Sequence, residues 1–207
     1  KRILDSKKLR EGWAVRDYIT EFNTIQTRMF QPMTWEDWVD IHRTLSEWDV
    51  EMDRYQDAGL KQTQHDQHRE CNAQFGDFVE KNYLDWIHGK EGPLLSVDVV
   101  RECVAPHLGN DHRVYFIVID CMRLDQWLVI EPLVAEYFTI DRQYGFSILP
   151  TATPYSRNAI FSGLYPDEIA KIHAEIWQKG TRDESSRNRY ERQLMDAQLE
   201  RLHIQLE

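Results

Sequence analysis

Ser147-Ile148-Leu149-Pro150-Thr151-Ala152-Thr153-Pro154-Tyr155-Ser156-Arg157-Asn158-Ala159-Ile160-Phe161-Ser162-Gly163 changes rhythm three times in seventeen residues. It opens as a short apolar strand and breaks at Pro150. It then offers the hydroxyls of Thr151 and Thr153 and runs on as a helix to a glycine. The first N–H groups of a helix have no intrahelical partner and the dipole end is positive, so a hydroxyl there is placed to face an anion. Two readings of Thr153 stand side by side. It is an N-cap with Pro154 at the first helical position, or it is a nucleophile.

Upstream, Val114-Tyr115-Phe116-Ile117-Val118-Ile119 is a continuous apolar run ending in Asp120. Such a run predicts a central strand of a parallel sheet, covered on both faces. Met122 to Phe138 reads as the crossover helix, with Leu124, Leu128 and Leu133 inward and Pro132 as a kink. A second strand, roughly Tyr144 to Leu149, leads into the opening stretch. Strand, helix, strand, helix is the order of an α/β unit. Ligands of parallel sheets bind beyond the carboxyl ends of the strands. Adjacent strands would therefore bring Asp120 and Thr153 side by side. A cation held by Asp120 could lower the pKa of the hydroxyl and present it as a nucleophile.

The first 88 residues or so read as helix throughout. A segment from about Ile3 to Phe30 carries Leu9, Trp13, Tyr18, Phe22, Ile25 and Met29 at spacings of mostly three to five, with Gly12 as a weak point. Pro32 ends it. Thr34 is the expected N-cap of a second helix, whose stripe holds Trp35, Trp38, Ile41, His42, Leu45, Trp48, Met52 and Tyr55. A third, from about Leu60 to Ile87, is polar first and then apolar at Phe75, Phe78, Val79, Tyr83, Leu84 and Trp86. Three amphipathic helices with short turns predict an antiparallel bundle. Within it, His65-x-x-His68 is read as a solvated helix face rather than half a metal site, and His42 as a hydrogen-bonded core or interface residue.

His88-Gly89-Lys90-Glu91-Gly92-Pro93 marks a hinge or boundary. A short helix is expected beyond it, with Ser96 as N-cap and Val99, Val100 and Cys103 inward, then a turn at Gly109-Asn110-Asp111. Downstream of Pro166, Asp167 to about Ile176 should be helical and Gly180 to Ser186 a polar loop. Residues 187 to 207 should form a charged helix with Tyr190, Leu194, Ala197 and Leu202 on its apolar side.

The 207 residues carry a formal net charge of −10 and are 42% hydrophobic, with 7 Trp, 9 Tyr and 8 Phe. The charge disfavours extended binding to a phosphate backbone and leaves a small phosphorylated ligand open. Three cysteines, Cys71, Cys103 and Cys121, with no CxxC spacing, fit a reducing, cytoplasmic setting. No apolar run approaches the length of a membrane span, so no membrane insertion is expected. The N-terminus has neither an initiator Met nor a signal-like apolar core and reads as the middle of a protein.

Ile117-Val118-Ile119-Asp120 followed by Arg123-x-Asp125-Gln126-Trp127 resembles the first metal-binding strand of the alkaline phosphatase superfamily, in its PglZ branch. Leu149-Pro150-Thr151-Ala152-Thr153, running through Arg157-Asn158-Ala159-Ile160-Phe161-Ser162-Gly163-Leu164-Tyr165-Pro166, resembles the nucleophile segment of that branch. Trp35-x-x-Trp38-Val39-Asp40-Ile41 and Asn82-Tyr83-Leu84-Asp85-Trp86 resemble the bundle of PorX-type response regulators, which couple a receiver domain through helices to a PglZ domain and regulate type IX secretion.

The resemblance implies a fold and a chemistry. Residues 1–90 would be the α-helical bundle, or linker, and residues 91–207 the N-terminal part of an α/β, mostly parallel-sheet alkaline-phosphatase-like domain. Asp120 would be a zinc ligand, and Thr153 both nucleophile and ligand. The activity would be a zinc-dependent phosphodiesterase acting on cyclic or linear oligonucleotides. The superfamily draws further Asp and His ligands from segments beyond the nucleophile helix. His173 and His203 do not sit in a matching context. The chain is therefore expected to lack part of the metal set and the receiver domain, and to be inactive alone.

A second reading is a non-catalytic signal-relay or dimerisation module that docks onto a secretion-system or sigma-factor protein, with a homodimer as one option. A third, Asp120 as a receiver phosphoacceptor, lacks the earlier acidic pair and the later strand-end Lys that receivers need.

Overall fold

The computed structural model describes residues 2–55, 57–109, 113–179 and 188–205. The chain divides into two compact units, residues 1–92 with 122–142, and residues 93–121 with 143–207.

The first unit is helical: α1 (Arg2–Met29), α2 (Trp35–Met52), α3 (Ala58–Ile87) and α4 (Leu124–Val134). Its boundaries have local causes. After Pro32, Thr34 starts α2 with a reciprocal cap. Its hydroxyl accepts from the Asp37 N–H (3.3 Å), and the Asp37 carboxylate accepts from the Thr34 N–H (2.8 Å). Arg28 of α1 pairs with the same carboxylate. The backbone hydrogen bond from Thr34 holds the Asp37 carboxyl below the ordinary aspartate range; burial opposes the shift and Arg28 adds to it. Asp57 caps α3 through the N–H groups of Gly59 and Leu60.

The expected stripe of α2 is the core. Trp38, Ile41 and Leu45 are buried with Ile25, Met29 and Cys71, and Phe75 and Phe78 pack against them. The Trp38 ring lies 5.5 Å from Phe75 and 6.2 Å from Phe78, and Trp48 meets buried Tyr18 edge-on at 5.2 Å. The polar start of α3 is less solvated than its composition suggests. Gln64 and Gln67 are buried, and their amides donate to the backbone carbonyls of Leu45 (3.0 Å) and Phe22 (3.2 Å). Leu9 and Trp13 lie outside the described side chains. His42 is exposed, not core.

The expectation for the crossover helix also changes. The segment read as a crossover helix is α4, and it packs against α2 within the helical unit. Its Leu124 and Leu128 are half-buried while Leu133 is exposed. A helix with apolar residues all round can settle on any apolar partner, and periodicity does not name which.

The second unit holds β1 (Leu94–Leu95), β2 (Gly145–Phe146), α5 (Thr153–Ser162), α6 (Pro166–Ile172), α7 (Ala174–Lys179) and α8 (Glu191–Arg201). The two strands pair in parallel, Leu94 against Gly145 and Leu95 against Phe146. A Cβ on Gly145 would stand 2.7 Å from the Leu94 carbonyl oxygen, so that approach needs glycine.

Residues 114–119 do not form the expected strand. They run without ladder bonds, and Tyr115, Ile117 and Ile119 are 78%, 75% and 58% exposed while Phe116 turns inward onto Phe161. A strand is completed by a neighbour's N–H and C=O groups, and none among the described residues pairs with this run. Ser96 is not a helix cap either. Its buried hydroxyl accepts from the Ile148 N–H (3.2 Å), and short 3₁₀ and π turns follow from Ser96 to His107. Asn110, Asp111 and the Gly180 to Ser186 loop lie outside the described residues. Among those described, no helix is long and apolar enough to cross a membrane.

Two clusters of buried residues stand out in the described part of this unit. Val100, Val104 and Leu199 form one, and Ile169, Ile176 and Leu194 the other. Helix α8 lies along α5. Its Gln198 amide nitrogen, in the orientation that satisfies the group, donates to the carbonyls of Ile160 (3.2 Å) and Phe161 (2.9 Å), and Arg201 donates to the Ser162 carbonyl. Gly163 ends α5 at φ 60°, a left-handed conformation that favours glycine, and a Cβ there would push against the Gln198 side chain.

Candidate active site

Helix α5 begins one residue earlier than an N-cap reading of Thr153 requires. The cap position is Ala152 (φ −61°, ψ 140°), whose carbonyl accepts from the N–H groups of Tyr155 and Ser156. Thr153 is the first helical residue and Pro154 the second. No side chain caps this end. The Thr153 hydroxyl is thus not spent on capping, and it stands half-exposed in the first turn, where the dipole is positive.

Three serine hydroxyls gather near this end. Ser147 and Ser156 share a hydrogen bond of 2.5 Å, and Ser96 stands 3.3 Å from Ser156. They tie α5 to the strand-end loops. Asn158 is buried, with its amide nitrogen on the Pro154 carbonyl and its side-chain oxygen without a partner.

Asp120 reaches α5 through an intermediary. The Arg157 Nη1 donates to Asp120 Oδ2 at 3.1 Å, and Nε of the same guanidinium donates to Glu191 at the start of α8. Arg157 follows Thr153 by four residues, so the two share a helix face. The Asp120 carboxylate is therefore held to α5 through Arg157, four residues beyond Thr153. Among the described residues no hydrogen bond joins Thr153 and Asp120 directly. The sequence reading named both ends of this arrangement and missed Arg157 and Glu191. The Thr153–Arg157 spacing was a visible signal for the first; nothing local marks the second.

Zinc, implied by the resemblance, can be tested against these donors. Asp120 and Thr153 offer oxygens, but one Asp120 oxygen is committed to Arg157. Among the described residues no group of three or more His, Cys, Asp or Glu could hold an ion. These residues do not by themselves make a zinc site. His173 sits at the end of α6 with Nε2 buried and unpartnered. Burial and nearby Arg201 push its pKa down. His203 lies just past the end of α8.

His65 and His68 face a different place. A cleft of about 410 Å³ in the helical unit is lined by both, together with Asp49, Lys61, Gln64, Arg123 and Asp125. His65 is exposed, as expected, but His68 is half-buried and pairs with Asp49 across α2 and α3 at 2.9 Å. Burial works to raise the Asp49 carboxyl, but hydrogen bonds from His68 and Gln64 outweigh it and hold it low. Arg123 grips Asp125 with two bonds, of 2.9 and 2.7 Å. Two of the lining acids are thus engaged, Asp49 by His68 and Asp125 by Arg123, which suits a helix junction.

No curated protein gives a significant match to the chain. Two families do. Residues 8–87 match the PorX response regulator linker domain. Residues 99–204, more than half of the chain, match the BREX system PglZ alkaline phosphatase-like domain. The chain belongs to the PglZ alkaline phosphatase-like family and carries ahead of that domain the linker of PorX-type response regulators.

Proposed function

We propose that this chain is the effector region of a cytoplasmic response regulator controlling type IX secretion, and that its PglZ domain cleaves phosphodiesters with Thr153 as nucleophile. One observation carries this reading. The Thr153 hydroxyl is not used as a cap at the mouth of α5, and Asp120 is held to the same helix by Arg157. In the proposed reaction Thr153 Oγ bonds to phosphorus as one ester oxygen leaves. Water then releases the phosphoryl group, so diester and water give monoester and alcohol. Oligonucleotides, cyclic or linear, are the proposed substrate class. Zinc binding in this reading draws on groups additional to the described ones, with Asp120 and Thr153 contributing.

The test is Thr153→Ala in the complete protein with bis(p-nitrophenyl) phosphate as probe. Loss of at least about 100-fold in kcat is expected, in line with removal of a nucleophile. An unchanged rate would overturn the reading.

The exposed apolar side chains of Val129, Leu133, Tyr137 and Phe138, on and just after α4, favour a second reading, a relay module that docks a protein partner or a second copy. Sedimentation equilibrium that shows only monomer, together with no binding to a secretion-system or sigma-factor protein, would remove it.

A further inference from the structure

We propose that Arg157 is a positioning residue of this site, anchored by Glu191 so that its guanidinium holds the Asp120 carboxylate against α5. The inference rests on the phosphodiester reading of Thr153 and names what orders the site around it.

The geometry supplies the argument. Arg157 lies between two carboxylates, and all three side chains are only partly exposed, at 27% for Arg157, 41% for Asp120 and 24% for Glu191. Ion pairs with this much solvent add little stability, so stability does not explain the arrangement. Planarity does. A guanidinium fixed at Nε has its fork pointed in one direction, and the fork end is where Asp120 sits. Glu191 stands in the first turn of α8, where a helix dipole favours an acid, and α8 is itself clamped along α5 by Gln198 and Arg201. The fixed helix pair thus locates the arginine, and the arginine locates the aspartate.

Asp120 needs such a holder. It closes a run that has no ladder bonds, and Cys121 behind it takes a left-handed backbone at φ 58°. Among the described residues the local contact of the carboxylate is a long one, from the Cys121 thiol to Oδ1 at 3.5 Å. The Arg157 contact reaches across 37 residues of sequence to hold it.

The test compares Arg157→Ala, Arg157→Lys, Glu191→Gln and Asp120→Asn in the complete protein, with bis(p-nitrophenyl) phosphate as probe and Thr153→Ala alongside. Misplacement of a reacting group by about 1 Å costs on the order of 100-fold. Arg157→Ala should therefore lower kcat about 100-fold, and Arg157→Lys and Glu191→Gln about 10-fold, all with KM within about two-fold of the parent. Arg157→Ala combined with Asp120→Asn should be no worse than the poorer single variant, because one acts through the other.

A kcat within two-fold of the parent for Arg157→Lys and Glu191→Gln would overturn the proposal. So would a rise in KM at unchanged kcat, which would make Arg157 a substrate-binding group. The two milder variants decide the matter if Arg157→Ala does not fold. An inactive Thr153→Ala beside fully active Arg157 variants would remove this proposal and leave the phosphodiester reading standing. An active Thr153→Ala would overturn both.

Discussion

In the helical unit, Trp38 of α2 reaches Phe75 and Phe78 on α3, and the apolar stripe is closed by its own neighbours. In the second unit, Tyr115, Ile117 and Ile119 point outward from a run that pairs with nothing described. Both stretches carry large apolar side chains. The difference lies in where their backbone partners come from. A helix satisfies its N–H and C=O groups within four residues, so periodicity and a cap suffice to specify it. A strand borrows its partners from elsewhere, so an apolar run specifies only the need for a neighbour.

The largest expected consequence is in the bundle. Trp38→Ala should remove about 3–5 kcal/mol from the helical unit, the usual cost of emptying a buried aromatic position. Calorimetry should show the transition of the helical unit shift to lower temperature while the α5–α8 unit melts as before. A single transition moving as a whole would mean the units are not thermally separable.

Acid should separate them next. Asp37 and Asp49 have folded-state pKa values below the ordinary aspartate range. Their contribution is therefore complete above that range and is lost as pH falls through the depressed folded values. Among the described residues of the second unit, the one aspartate held low is Asp167, in a surface pair with Lys171. On descent from pH 6 to pH 3 the Tm of the helical unit should fall more. Equal falls would show that other groups dominate.

The smallest effect is at the open run. Ile117→Lys should alter stability by under about 0.5 kcal/mol, as exposed positions usually do, and should raise solubility. A large drop in the midpoint of chemical denaturation would mean that Ile117 is covered in solution.

These contrasts explain what was legible in advance. Thr34, Pro32 and the aromatic spacing announced α2 because each acts within one turn. Gly163 announced the end of α5 for the same reason. Thr153 could be named as a candidate because a helix mouth has a local signature, and Asp120 because it closes an apolar run, even though that run is not a strand. The intermediary could not. Arg157 meets an acid 37 residues before it and another 34 residues after it, and no window of sequence contains both. The crossover expectation for α4 failed on the same ground, since its apolar surface fits more than one partner. The capping reading of Thr153 failed by one residue, because Ala152 can take the extended cap conformation without a side-chain bond.

The seat of α4 also fixes an order of events during synthesis. The helical unit is discontinuous in the chain, since its last element follows the end of α3 at Ile87 by about 47 residues, closing at Val134. At about 5–20 residues per second, a ribosome needs about 2–9 s to cover that distance. For that interval α1, α2 and α3 are complete while the flank of α2 that receives α4 stands bare. The bundle is born with one side open, and translation itself supplies the piece that closes it.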